Sequence, residues 1–493
     1  MNQITGTDGS SHDSTPASAD QSIDSRADLR GRILKNGSAM GLMATVVGMV
    51  GLSMAQTINP TQPGANADPI PSAQTRDMFR PLMPASSGQN LGSEAAADAV
   101  APLQPTPEAI PDTENGVGAN VDASAPPVEI DGKAVAEAQR RLWRIRPKGG
   151  AAMVYDDNIF ISNTNRVADV IWSVTAGLAF EIGDYRNLKE NFLIAEWYGT
   201  GYFYTQNPQQ NAFNQAAALL GQYRWNKLTG QIESRYQYLT GPDREVGAFT
   251  DRQLFVNAIR FNYDYSDKTT FDAEFLQNTQ IFKSYLNQYD YRLKLGGDYR
   301  ILPKVKIGGE GVAGILDVAD SPLQYYQQIR GRLRYDATGK LAFKSSAGIE
   351  FRQFQGESDE FRIEPVFSLG LEYTPFDGTL ISLTGYRDVI GSNSLVGQNY
   401  VATGFQISIQ QRVLQKFFVG VAFGYENDTY FATESDIDSS RVDNYIFARP
   451  SISYNLADWA KTGIFYEYRN NDSNESSSSF YDNRVGVELN LTF

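Results

Sequence analysis

Three arginines, Arg330, Arg332 and Arg334, alternate with Ile329, Gly331 and Leu333 directly after Gln328. In an extended chain successive side chains point to opposite faces, so this spacing puts three guanidinium groups in line on one face and apolar groups on the other. Nearby segments add Arg292, Lys294 and Arg300, then Lys304 and Lys306, then Lys344, Arg352 and Arg362, which together make one basic sector. Asp290, Asp298, Glu310, Glu350, Glu364 and Glu372 are interspersed with them. Two kinds of chemistry fit such a mixture. One is an ion-pair network that lines water. The other is a transverse field that guides anionic or polyhydroxylated solutes, as rings of charge do in pores.

Bond-making chemistry has little to work with. The chain has no Cys, and its one His is His12, so thiol chemistry, disulfides and imidazole-bound metals are excluded from everything downstream. A carboxylate-only metal site stays open. A nucleophilic Ser or an activated water at neutral pH wants a neighbour that titrates near 7, which is usually His. The only carboxylate pair that suggests glycoside hydrolysis is Asp156-Asp157, and adjacent residues of a strand point to opposite faces. No catalytic residue, metal or cofactor is therefore assigned, and the expectation is a non-enzyme. With 43 Lys and Arg against 57 Asp and Glu, the net charge of -14 is opposite to what nucleic acid attracts. Glu357, Asp359, Glu434, Asp436, Asp438, Asp472 and Glu475 read as solvated loops, or as ligands for divalent cations that bridge to lipopolysaccharide phosphates.

The elements that hold these side chains follow from a break in composition. Of 27 Phe, 27 Tyr and 5 Trp, only Phe79 and Trp143 precede residue 148. Beyond it the pattern alternates in dyads. Tyr289, Tyr291, Leu293 and Leu295 oppose Asp290, Arg292 and Lys294, and Phe361, Ile363, Pro365, Phe367, Leu369 and Leu371 oppose Arg362, Glu364 and Ser368. Short turns such as Asn226-Lys227, Pro303 and Asp458 take turns with longer polar stretches such as 241–250, 391–397 and 470–479. Eight short and nine long connections require 18 strands, with 16 as the nearest alternative. No stretch after residue 148 is apolar for the 18 residues that a membrane helix needs. Long strands with an outward apolar face suit lipid only if the sheet closes, because an open edge in hydrocarbon strands its backbone groups. The expected fold is all-β, an antiparallel transmembrane barrel over 148–493, with a lumen wide enough for water. Trp225 and Trp459 beside short turns and Trp172 near a long loop fit aromatic girdles.

The first third reads differently. Residues 39–52 are an apolar run behind Arg30, Arg32 and Lys35, followed by Ser53-Met54-Ala55, so 1–55 is expected to be a long n-region and signal peptide. Residues 56–133 are rich in Pro and Ala and read as a disordered periplasmic linker. Val135, Ala138, Leu142 and Ile145 stand at helical spacing, which predicts a short amphipathic helix over 134–147 that could dock or plug.

Two motifs carry a family resemblance. The terminal Val485-x-Val487-x-Leu489-x-Leu491-x-Phe493 looks like the membrane-insertion signal of Gram-negative outer-membrane β-barrels. Val154-Tyr155-Asp156-Asp157-Asn158-Ile159-Phe160 resembles the opening motif of the β-barrel porin 2 family, which includes EpsL-like proteins encoded with exopolysaccharide genes. The resemblance covers 148–493. It implies an outer-membrane pore that serves exopolysaccharide export or assembly, with a general diffusion porin for small solutes and a non-conducting scaffold as alternatives. The partners it implies are outer-membrane lipid and lipopolysaccharide, the barrel assembly machinery, exopolysaccharide and periplasmic export proteins.

Overall fold

A computed structural model describes residues 143–493, apart from 184–189, 339, 356–360, 377, 435–436 and 438. The expected signal peptide, the linker and residues 134–142 of the expected helix lie outside the described residues. Eighteen strands follow one another: β1 (Trp143–Asp156), β2 (Asp169–Gly183), β3 (Phe192–Tyr204), β4 (Ala212–Trp225), β5 (Leu228–Asp243), β6 (Ala248–Asp264), β7 (Thr269–Phe282), β8 (Gln288–Leu302) and β9 (Val305–Val318). The second half adds β10 (Leu323–Thr338), β11 (Leu341–Gln355), β12 (Phe361–Tyr373), β13 (Thr379–Gly391), β14 (Gln398–Arg412), β15 (Phe417–Ala432), β16 (Val442–Ala457), β17 (Ala460–Ser473) and β18 (Phe480–Thr492). Every strand is antiparallel to the next, and β1 pairs with β18 from Lys148↔Thr492 to Asp156↔Arg484, so the sheet closes.

Alternation decides which face is which. On β2 the exposed residues are Trp172, Val174, Ala176, Leu178, Phe180 and Ile182, while Ser173, Thr175 and Glu181 point inward. A predominantly apolar outer face on a closed sheet, with backbone groups paired along nearly all of its ladders, is what a bilayer demands, so this is a transmembrane barrel of 18 strands. Trp225 and Trp459 flank short turns, and Trp459 stacks on Phe493 with ring centroids 5.4 Å apart.

The end of the expected helix is corrected. Residues 143–147 are strand, and β1 begins five residues earlier than the expected barrel start at 148. Trp143 and Ile145 face outward, whereas Arg144 and Arg146 face inward to bond Glu181 at 2.6 and 2.5 Å. Of the residues at helical spacing only Ile145 is described, and it is in strand, because β2 supplies the ladder that extends this segment. The expected loop over 241–250 also shrinks, because β5 and β6 run on to Asp243 and from Ala248 and leave only Arg244 to Gly247 between them.

One ladder stops early. β12 and β13 are in register only from Tyr373↔Ile381 to Phe367↔Arg387, so Phe361–Val366 has no register partner on β13. Pro365 explains the stop. Its carbonyl accepts a bond from Arg387 Nε at 3.1 Å and therefore faces β13, and its nitrogen, on the same side, carries no hydrogen to donate. Past this point the β13–β14 hairpin bends into the barrel. Val389, Val401 and Phe431 hold alternation positions that face lipid lower on the same strands, yet they pack on Phe354 of the inner face of β11. Gly391 is needed there, since a Cβ would stand 2.7 Å from Val318 of β9.

Candidate functional site

Among the described residues, the lumen is where strand after strand presents polar side chains to a shared space, and its two walls differ. The wall from β7 to β12 carries the basic sector. Arg332 is its centre, with Asp272 at 2.6 Å, Asp298 at 3.0 Å and Glu310 at 3.2 Å. Arg334 reaches Asp298 at 3.3 Å, Arg330 bonds Gln328, and Lys294 pairs with Glu274 at 3.2 Å. Arg292 bonds Asp290 at 2.7 Å, Arg352 bonds Glu350 at 2.7 Å, and Arg362 bonds Glu364 at 2.6 Å. Lys306 and Lys344 are half-buried on the same face, and Arg300 is exposed near the short-turn rim. Lys304 falls in the two-residue turn between β8 and β9 and stands on the rim, because the chain reverses there. The sector is therefore a neutralised network across most of its length, in which each carboxylate offsets the desolvation of a neighbouring cation.

The bent hairpin covers the upper part of this wall. Gln324 of β10 exchanges two bonds with Asn399 of β14, at 3.0 and 2.7 Å. Arg352 donates to the Val389 carbonyl at 3.2 Å, and Arg292 reaches Asp388 at 3.3 Å. From the opposite side comes the β5–β6 loop. Arg244 is fully buried against Glu426 and Asp428 of β15 and lies 4.7 Å from the Tyr445 ring centroid. Glu245 accepts bonds from the Asn393 amide at 2.7 Å and from the Ser392 hydroxyl at 2.8 Å, both in the β13–β14 connection. Burial, and next the nearby Asp243, push the Glu245 carboxyl up to about 7, against the pull of Ser392, Arg441 and the Asn393 amide. Gly247 ends this loop at a φ of 68°, a left-handed conformation that suits glycine. Loop and hairpin meet across the lumen as a latch.

The opposite wall is open. Gly150 and Ala152 of β1, Ser173, Thr175 and Gly177 of β2 and Thr200 of β3 line a cavity whose far side is formed by Arg449, Phe465, Glu467 and Glu488. Small inward side chains leave the space. The Thr175 and Thr200 hydroxyls bond each other at 2.8 Å, and Lys148 pairs with Glu196 at 3.0 Å. Arg449 lies 3.9 Å from the Phe465 centroid, next to Glu488 at 3.7 Å. An aromatic ring, hydroxyls and charges of both signs around free space suit a small hydroxylated or charged solute.

The Val154–Phe160 motif serves the seam between the first and last strands. Asp156 faces inward and bonds Arg484 at 2.8 Å, while Asp157 bonds Asn483 through both carboxylate oxygens. Asn158 is fully buried and brackets Ser162 by its amide and carbonyl. Asp156, Asp157 and Asp482 come close enough to share a cation, yet Arg484, Arg469 and Arg166 already neutralise them. Sequence reasoning missed the latch, the bent hairpin and the open wall. Pro365 inside an apolar strand and the run of small inward residues on β1 and β2 were the signals that could have found the last two.

No family model and no curated protein matches the chain. Among solved structures it is similar to Acinetobacter baumannii OccAB3, with 10% identity, 71% of this chain and 99% of that one covered, and a TM-score of 0.38. Pseudomonas aeruginosa OpdK with vanillate gives 11% identity, 71% and 99% coverage and a TM-score of 0.38. Pseudomonas aeruginosa OccK2 (OpdF) in complex with glucuronate gives 10% identity, 71% and 98% coverage and a TM-score of 0.39. Likeness at this level adds nothing to the barrel that the strand registers already establish.

Proposed function

We propose that this protein is an outer-membrane pore for small solutes, with its permeation path along the open wall of β1 to β3 and β16 to β18. The contacts that cross the lumen from Arg244 to Glu426 and from Glu245 to Asn393 carry the reading, because a loop and a hairpin joined inside the barrel obstruct a polymer chain more than a small molecule. The polysaccharide-export expectation rests on the Val154–Phe160 motif, and those residues are accounted for by the seam and the first loop. The terminal Val485, Val487, Leu489, Leu491 and Phe493 row suits recognition by the barrel assembly machinery. The test is conductance of the purified chain in a planar bilayer together with swelling of liposomes in sugars of increasing size. Steady conductance with passage of monosaccharides and exclusion of long oligosaccharides is expected. A silent bilayer would favour a scaffold instead, and passage of long oligosaccharides would restore the export reading.

A further inference from the structure

Most lipid-facing rows of the barrel are apolar at mid-depth, and on β1 to β3 no polar side chain occupies an outward position between the strand ends. β5 to β7 depart from this. Outward-facing Ser234 donates to Asn257 Oδ1 at 2.6 Å, and Asn257 Nδ2 donates to Gln277 Oε1 at 3.3 Å. Gln277 Nε2 continues to Thr279 Oγ1 at 3.2 Å. The registers Ser234↔Asn257 and Asn257↔Gln277 put these groups side by side, so they form a ladder across three strands. It sits inside the apolar band. On β6 the outward row reads Phe255, Asn257, Ile259, Phe261, and on β7 the neighbour of Gln277 toward the short turns is Phe275.

Hydrocarbon offers nothing to an amide that still has hydrogen-bonding capacity, and each Asn or Gln side chain has two donor hydrogens and two acceptor lone pairs. Polar side chains at such positions act as contacts between membrane-embedded segments. Three observations identify the partner. The ladder is uncharged, so it does not ask for a partner of opposite sign. Its groups both donate and accept, so the ladder complements itself. A two-fold axis along the membrane normal keeps the two ladders at one depth, whereas a head-to-tail contact would set the amides against an apolar row such as that of β2. We propose that the β5–β7 face is the interface of a symmetric dimer of this chain, zipped by Asn257 and Gln277.

The absence of Cys makes the test direct. Single Phe275→Cys and Val174→Cys variants of the full chain, reconstituted in vesicles, are treated with a short bis-maleimide, and the mass of the wild type and of Asn257→Leu/Gln277→Leu is measured by light scattering in mild detergent. The dimer predicts a cross-linked pair from Phe275→Cys, none from Val174→Cys, and at least a tenfold rise in dissociation constant for the double variant. A monomeric wild type, equal cross-linking at both sites, or cross-linking to a different protein only would each overturn it. Should the double variant misfold, the cysteine variants decide alone. Conductance of a single barrel is a separate readout, so failure of this dimer leaves the pore untouched.

Discussion

The two inner walls of the barrel obey the same alternation and end up opposite in character. Along β1 to β3 the inward positions hold Gly150, Ala152, Ser173, Thr175 and Gly177, and solvent space remains. Along β8 to β11 they hold arginines, carboxylates and tyrosines, and a second layer of strand is laid over them. Binary pattern sets which face meets water, but side-chain volume and one interrupted ladder set how much water there is. The basic sector is the more elaborate wall and the less available one, since its guanidinium groups are already matched.

The comparison breaks most visibly at Arg332. Arg332→Gln removes the cation that Asp272, Asp298 and Glu310 share and leaves only Arg334 beside Asp298 and Arg330 near Glu310, with an expected loss of about 3–5 kcal/mol. Unfolding of the detergent-solubilised barrel, followed by its heat-modifiable gel mobility, measures that loss. If the triple change of Arg330, Arg332 and Arg334 to Gln folds, the reversal potential should stay close to that of the wild type, and a clear move toward cation selectivity would show that the sector, not the open wall alone, faces the permeation path.

The next effect belongs to the latch. Glu245→Ala removes the acceptor shared by Ser392 and Asn393, a loss of about 1–3 kcal/mol, which would shift the loop toward an open position and raise single-channel conductance. Acid-base linkage gives a subtler version of the same change. Glu245 holds its proton more tightly in the latched state, at about 7, than when free, at 4.5, so the latch is firmest below 4.5 and weakens as pH rises toward 7. Conductance should therefore climb across that window and stay flat in Glu245→Gln. The smallest effect is expected on the open wall, where Thr200→Val forfeits one hydroxyl pair and costs about 1 kcal/mol. Thr175→Trp forfeits the same hydroxyl pair and should cost a similar amount, about 1 kcal/mol, while it reduces conductance, which tests directly whether solutes pass there.

Much of the fold was legible because a barrel in lipid writes its structure into every second residue. The 18 strands and the inward parity of Arg330, Arg332 and Arg334 all follow from dyads and turn lengths. The start of β1 was misread because Val135, Ala138, Leu142 and Ile145 also fit a helix, and nothing local shows that β2 would extend a ladder to Trp143. The site was harder. That Asn399 finds Gln324, or Glu245 finds Asn393, depends on segments that meet only after the cylinder has closed and a hairpin has turned inward. Pairing of that kind leaves no periodic trace along the chain.

The closing seam also dictates a timetable. Arg484 grips Asp156 across 328 positions, and the amide of Phe493 reaches back to the carbonyl of Pro147. The first strand has to wait, with one edge unsatisfied, until the last has been delivered. Such distant contacts make assembly slow, and a nearly finished cylinder keeps an exposed edge until its last strand is in place.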